Sequence, residues 1–184
     1  KDKMLLGGKG ANLCEMTQIG LNVPPGFTIT TEACLAYLAE GRLPDGLMDT
    51  VREHIAAVEK KTGKTFGGAA DPLLVSVRSG SAMSMPGMMD TILNLGLNKS
   101  TLRGLIAATE DERFGYDAFR RFLQLFGKIA LGVPDEPFDE AMVALKRSEG
   151  VKTDVELSAA AMKQLADRFE EIIQAVGHRI DVVI

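Results

Sequence analysis

Two cations stand in the parts of this sequence best suited to anion chemistry. Lys9 lies inside Gly7-Gly8-Lys9-Gly10, and Arg78 ends the apolar run Leu73–Arg78. A lysine in a double-glycine turn at a helix start combines an ammonium with exposed backbone amides, and together these attract anions. An arginine is a permanently charged fork matched to phosphate oxygens. Directly after Arg78 the chain reads S-G-S-A-M-S-M-P-G-M-M-D-T, residues 79–91. The Ser79-Gly80 and Pro86-Gly87 pairs let such a loop turn sharply and bring its backbone close to a ligand. Ser84 adds a hydroxyl, and Met83, Met85, Met88 and Met89 supply adaptable packing. A strand that delivers Arg78 to the mouth of this loop is suited to holding a polyphosphate.

Each candidate has a plainer reading beside it. Gly10-Ala11 follows the lysine where a P-loop would place Ser or Thr, so Lys9 is either a phosphate ligand or a solvent-exposed turn lysine. Arg78 is either a phosphate ligand or one half of a structural ion pair. The loop methionines are either core filler or part of a mobile lid. Asp90 reads as a local cap or turn former more readily than as a metal ligand. The carboxylate pairs Asp111-Glu112, Asp139-Glu140 and Glu170-Glu171 are read as solvated, because neighbours on a helix point in different directions. His54 sits among charged residues of a helix, and His178 follows a helix-ending Gly177. Neither has a partner pattern for nucleophilic or general-base work. No catalytic residue and no metal ligand is assigned within the chain.

Composition narrows the classes further. The chain has 184 residues, a formal charge of -4 and no tryptophan. That balance, with no run of Lys or Arg, argues against a nucleic-acid partner. Its apolar stretches are too short for a membrane span, and no secretory signal is read at Lys1-Asp2-Lys3-Met4. The two cysteines, Cys14 and Cys34, are expected as buried reduced thiols, which fits a cytoplasmic location.

The elements that must position the cations follow from periodicity. The glycine turn opens a helix over Ala11–Ile19, with Leu13, Met16 and Ile19 at helical spacing. Phe27–Thr30 reads as a strand, Thr31 as the cap of a helix over Glu32–Glu40, and Asp45 as the cap of a helix through Lys61. Gly63–Asp71 reads as a loop, and Ile92–Leu97 as a return strand. After Asn98 the pattern turns helical over Leu102–Ala108, Phe114–Leu131 and Phe138–Glu149, with a last helix capped by Ser158. Phe119, Phe122, Leu123 and Phe126 form a core stripe, and Met162, Leu165, Phe169, Ile172, Ile173 and Val176 another. The expected fold class is α+β, with a mixed α/β region over residues 1–98 and a helical one over 99–184.

Three stretches resemble the N-terminal, nucleotide-binding portion of the pyruvate, phosphate dikinase family. They are Leu5–Cys34 (L-L-G-G-K-G-A-N-L-C-E-M and I-G-L-N-V-P-P-G-F-T-I-T-T-E-A-C), Pro72–Asn98 with its S-M-P-G-M-M-D-T loop, and Glu112–Gly127 (E-R-F-G-Y-D-A-F-R-R-F-L-Q-L-F-G). The resemblance implies the first lobe of an ATP-grasp domain plus an all-helical inserted subdomain. It implies that Lys9 and Arg78 bind ATP phosphates, and that Ser84–Thr91, with Ser84, Gly87, Met89 and Thr91, forms a lid over them. Such a lid neutralises charge on the transferred group through its backbone amides. Full-length members convert ATP, inorganic phosphate and pyruvate into AMP, diphosphate and phosphoenolpyruvate through a phosphorylated histidine, and form homodimers. Pyruvate and phosphoenolpyruvate bind them at a distant domain.

The departures are equally specific. Ala82 occupies a position that is basic in many relatives, and the segment from Gly177 to Ile184 leaves the family pattern. The chain is expected to stop before the second lobe, which brings the Mg²⁺ ligands, and to lack the phosphorylated histidine. The fragment by itself is therefore expected to be inactive. Phosphoenolpyruvate synthase shares the glycine turn but follows V-R-S with S-A-T-x-E-D, and a non-catalytic binding remnant is the other alternative.

Overall fold

A computed structural model describes residues 2–80 and 90–177. Helix α1 (Lys3–Gln18) is broken at Gly7, and α2 (Thr31–Glu40) and α3 (Leu47–Thr62) follow. Four short strands come next: β1 (Thr65–Phe66), β2 (Pro72–Leu73), β3 (Val75–Arg78) and β4 (Thr91–Leu95). β1 pairs with β2 in parallel, Thr65 opposite Pro72 and Phe66 opposite Leu73, and β3 pairs with β4. Helices α4 (Lys99–Thr109), α5 (Glu112–Leu131), α6 (Glu136–Glu149) and α7 (Ala159–Ala175) complete the order, with a 3₁₀ turn at Asp154–Glu156. The fold is α+β, as its alternating patterns imply.

By packing, the chain forms two units. One takes the described residues of 1–63 and 78–90, the other those of 64–77 and 91–184. This division differs from a boundary at residue 98, because β2 packs on α4 and β4 on α5, which draws the strands to the helices.

The second unit holds the core. Phe119, Phe122, Leu123 and Phe126 of α5 are buried together with Phe138 of α6 and Met162, Leu165, Phe169 and Ile173 of α7. Phe138 meets Phe169 edge to face, with ring centroids 4.9 Å apart, an arrangement that satisfies the ring quadrupoles. Val176, placed by period on the same stripe, lies beyond the last helical residue and is exposed. The N-termini of α4, α5 and α7 are capped by side chains that take up orphan amides. Asn98 accepts from Ser100 and Thr101, Asp111 from Phe114, and Ser158 from Ala161.

The first unit departs from expectation at several points. Phe27–Thr30 is not a strand; Thr30 is extended, but ladder pairing needs a second strand, and none adjoins it among the described residues. Thr31 is the first residue of α2, and its hydroxyl donates to the Met4 carbonyl instead of capping. The helix expected behind Asp45 has Gly46 at its N-cap, since the Asp45 carboxylate is engaged with Arg42 at 2.8 Å. Cys14 and Cys34 are free thiols but exposed, and the stripe Leu13, Met16 and Ile19 is exposed with them.

Candidate functional site

Gly7 has φ 68° and ψ 169°, a backbone that glycine adopts at little cost and that an α-helix cannot contain. The break divides α1 into a short leading turn and a helical segment over residues 8–18. Lys9 therefore stands in the first turn of that segment, where amide groups lack intrahelical acceptors and the helix dipole is positive. Its side chain is half-buried, and no carboxylate among the described residues pairs with it. The turn read over Gly7-Gly8-Lys9-Gly10 thus contracts to a break at Gly7 alone, and the helical segment begins at Gly8, three residues before the start at Ala11 read from periodicity.

Arg78 is the last residue of β3 and is exposed. No ion pair to its guanidinium forms among the described residues. The next residue closes the neck of the loop: the Ser79 amide and hydroxyl both donate to the Asp90 carbonyl, at 3.1 and 3.2 Å. Asp90 contributes to this neck through its backbone, in keeping with a turn-forming residue. Lys9 and Arg78 belong to the same unit, whereas Thr91, half-buried at the start of β4, belongs to the other. Ser84, Gly87 and Met89 lie outside the described residues. No group of His, Cys, Asp and Glu suited to a metal forms among the described residues.

The most connected polar cluster is elsewhere, in the second unit, and sequence reasoning passed over it. Arg120 is buried in α5. Its Nε donates to Asp117 at 2.8 Å and its Nη2 to Asp154 at 3.2 Å. Arg121 holds the other oxygen of Asp117 at 3.0 Å, and Lys146 holds Asp154 at 3.0 Å. Burial pushes the Asp154 carboxyl up, but the Lys146 hydrogen bond and the charges of Arg120 and Lys146 together outweigh it and hold it below the ordinary 3.8. Arg113 donates to the Leu157 and Asp154 carbonyls at 2.8 and 2.7 Å, so the whole cluster ties the 3₁₀ turn to α5. The only local signal for it is the i, i+3 and i, i+4 spacing of Asp117, Arg120 and Arg121. Its groups are paired with one another, which suits a structural role.

Glu170, read as solvated, is buried on α7 and bonded to Lys99 at 3.0 Å. A depression of about 460 Å³ in the second unit is lined by Ala69, Ala70, Asp71, Arg103, Gly104, Ala107 and Ala108. None of the candidate anion-binding residues lines it. Among the described residues, no helix is long and apolar enough to cross a membrane.

Comparison with known proteins bears on the first unit and the chain as a whole. Residues 3–52 match the family model described as pyruvate phosphate dikinase, AMP/ATP-binding domain. The chain is 60% identical over 169 residues to the pyruvate, phosphate dikinase of Entamoeba histolytica, covering 91% of this chain and 19% of that protein. It is 52% identical over 177 residues to the chloroplastic pyruvate, phosphate dikinase 1 of Arabidopsis thaliana, covering 95% of this chain and 18% of that one. Pyruvate, phosphate dikinase 2 of Zea mays is 50% identical over 177 residues. The chain spans about a fifth of the length of the curated relatives it matches.

Proposed function

We propose, for a chain that belongs to the pyruvate, phosphate dikinase family and corresponds to its AMP/ATP-binding portion, that Lys9 and Arg78 hold the phosphates of ATP. The observation that carries this reading is the break at Gly7, with φ 68° and ψ 169°, which leaves Lys9 in the first turn of a helical segment. An ammonium and unsatisfied amides there face the same anion. Arg78, exposed at the end of β3 beside the Ser79–Asp90 neck, brings a second cation at the mouth of the loop. Ser84, Gly87, Met89 and Thr91 belong to the lid in this reading. The lobe facing the nucleotide comprises residues 1–98 as the first lobe of an ATP-grasp domain, with 99–184 as the helical subdomain. That functional division need not coincide with the packing units.

The activity we assign to the complete protein is that of the family: ATP, phosphate and pyruvate to AMP, diphosphate and phosphoenolpyruvate. Mg²⁺ accompanies the nucleotide, and its ligands come from outside this chain. A cytoplasmic location and a homodimer belong to the same reading. In this reading the chain by itself supplies cations and a lid and is inactive alone. The loop sequence S-M-P-G-M-M-D-T and the dikinase names of the matched relatives favour this over a phosphoenolpyruvate synthase.

The test is Arg78→Ala in a complete dikinase carrying this segment. Loss of one charge-stabilising donor lowers transfer by about 10²–10³, so the ATP-dependent half-reaction falls by that factor. Exchange between phosphoenolpyruvate and pyruvate persists. Undiminished ATP turnover would overturn the assignment.

A further inference from the structure

The glycine break that presents Lys9 is gripped from both sides by one neighbouring stretch, residues 28–31. On the leading side, the Thr31 hydroxyl donates to the Met4 carbonyl at 2.5 Å. A ladder interrupted at Gly7 leaves carbonyls of the preceding turn in want of donors, as at any helix end, and Thr31 supplies one. On the trailing side, Gly10 is buried against Thr28. A Cβ at Gly10 would stand 3.0 Å from both Thr28 Cγ2 and Thr28 Oγ1, and 3.3 Å from Leu6 Cβ. Such distances force a neighbour to move. Lys9 sits between these two fastenings, one residue before Gly10.

We propose that Thr31 and Thr28, with Gly10 as the contact point, are positioning residues for Lys9. The Thr31 hydrogen bond fixes the turn before the break, and the Gly10–Thr28 approach sets where the helical segment begins. Together they determine where the ammonium and the adjacent amides point. This rests on the reading of Lys9 as a phosphate ligand and adds to it a clamp in which neither threonine touches the nucleotide. Displacement of a ligand by about an ångström is enough to lose a large factor in rate, so a small shift of this turn is expressed in ATP handling.

The experiment uses a complete dikinase carrying this segment, with ATP-driven and phosphoenolpyruvate-driven half-reactions measured separately. Gly10→Ala lowers kcat/KM for ATP by about tenfold, because the helical segment and the Thr28 side chain must shift apart where they now touch. Gly10→Ala combined with Thr28→Ala, which clears the space, recovers to within about twofold of the parent. Thr31→Val lowers kcat/KM for ATP by about three- to fivefold, the worth of one exposed hydrogen bond, and Thr31→Ser restores it. The phosphoenolpyruvate-driven half-reaction stays unchanged throughout. In a Lys9→Met background both single changes become silent, since they act through that side chain.

Equal losses in both half-reactions, or no recovery in the paired variant, overturn the clamp and mark general destabilisation. A damaging Lys9→Met alongside silent Gly10→Ala and Thr31→Val overturns the clamp while leaving Lys9 as a ligand. A Lys9→Met variant with full ATP turnover removes the Lys9 reading itself, and the clamp with it.

Discussion

The two units of this chain bury apolar surface very differently. In the first, Val58 is the one buried apolar side chain among the described residues, while Leu13, Met16, Leu35 and Leu38 are exposed. In the second, three helices interdigitate phenylalanine and leucine side chains around Phe122, Phe138 and Phe169, all 2% exposed or less. Net stability is a small remainder between burial and chain entropy. The helical unit has the burial to yield that remainder, whereas the unit carrying Lys9 and Arg78 has little of its own. The two candidate cations thus sit on the thinly packed part of the chain, whereas Thr91, the lid candidate at the start of β4, belongs to the well-packed part. Ligand-binding segments are commonly drawn from low-stability regions, since those are the parts able to close and open.

The sharpest test of that contrast is Phe169→Ala. Emptying a fully buried aromatic position costs about 3–5 kcal/mol, so chemical denaturation followed by circular dichroism should show the helical unit unfolded or nearly so. A loss under 1 kcal/mol would mean that the core at α5, α6 and α7 is not the main source of stability.

Arg120→Met comes next. It leaves Asp117 and Asp154 without their shared cation, but Arg121 and Lys146 still hold them. The expected loss at neutral pH is about 2–3 kcal/mol, below the full cost of stranding a buried charge. The same variant has a pH signature. The Asp154 carboxyl is held below its ordinary 3.8 in the folded state, so its contribution is complete above that value. It fades as pH falls through the lower folded value, because the unfolded chain then binds the proton first. Parent and variant stabilities should therefore converge in acid; a gap that stays constant down to the acid transition would remove Asp154 from the cluster's energetics.

Ser158→Ala deletes the acceptor for the Ala161 amide and should cost about 1 kcal/mol. Ser158→Asp should retain most of that stability, and equal losses in both variants would rule out capping as the cause. At the small end, Leu38→Ala removes a side chain that is 71% exposed, and such surface changes stay within about 0.5 kcal/mol. Hydrogen exchange read helix by helix completes the comparison, with α5 and α7 exchanging slowest and α1 and α2 fastest. The reverse order would abolish the distinction between the units.

Much of the helical half was legible because its signals are local. The stripe Phe119, Phe122, Leu123 and Phe126 repeats at helical period, and each of these residues is buried. Ser158 precedes an amphipathic run and does cap it. Local signals misled where a residue had a better offer from elsewhere. Thr31 could have capped, but the Met4 carbonyl took its hydroxyl. Asp45 could have capped, but its carboxylate accepts from Arg42 instead, and Gly46 took the cap position. Phe27–Thr30 has the composition of a strand, yet a strand exists only through its pairing. The burial of the thiols failed for a related reason, since periodicity marks a face as apolar without supplying what covers it.

For the site, the sequence by itself determined the residue types and their order: a lysine within three glycines, an arginine closing an apolar run, and a glycine- and methionine-rich loop after it. Those choices fix charge, backbone permissiveness and helix period, which are properties of neighbours along the chain. Only the tertiary structure decided that the break falls at Gly7 and that Gly10 meets Thr28. It also decided that Arg120 and Glu170 are buried with their partners. Each of these depends on a contact made across many residues of chain. A sequence records which groups could satisfy one another, and packing selects the pairs that do.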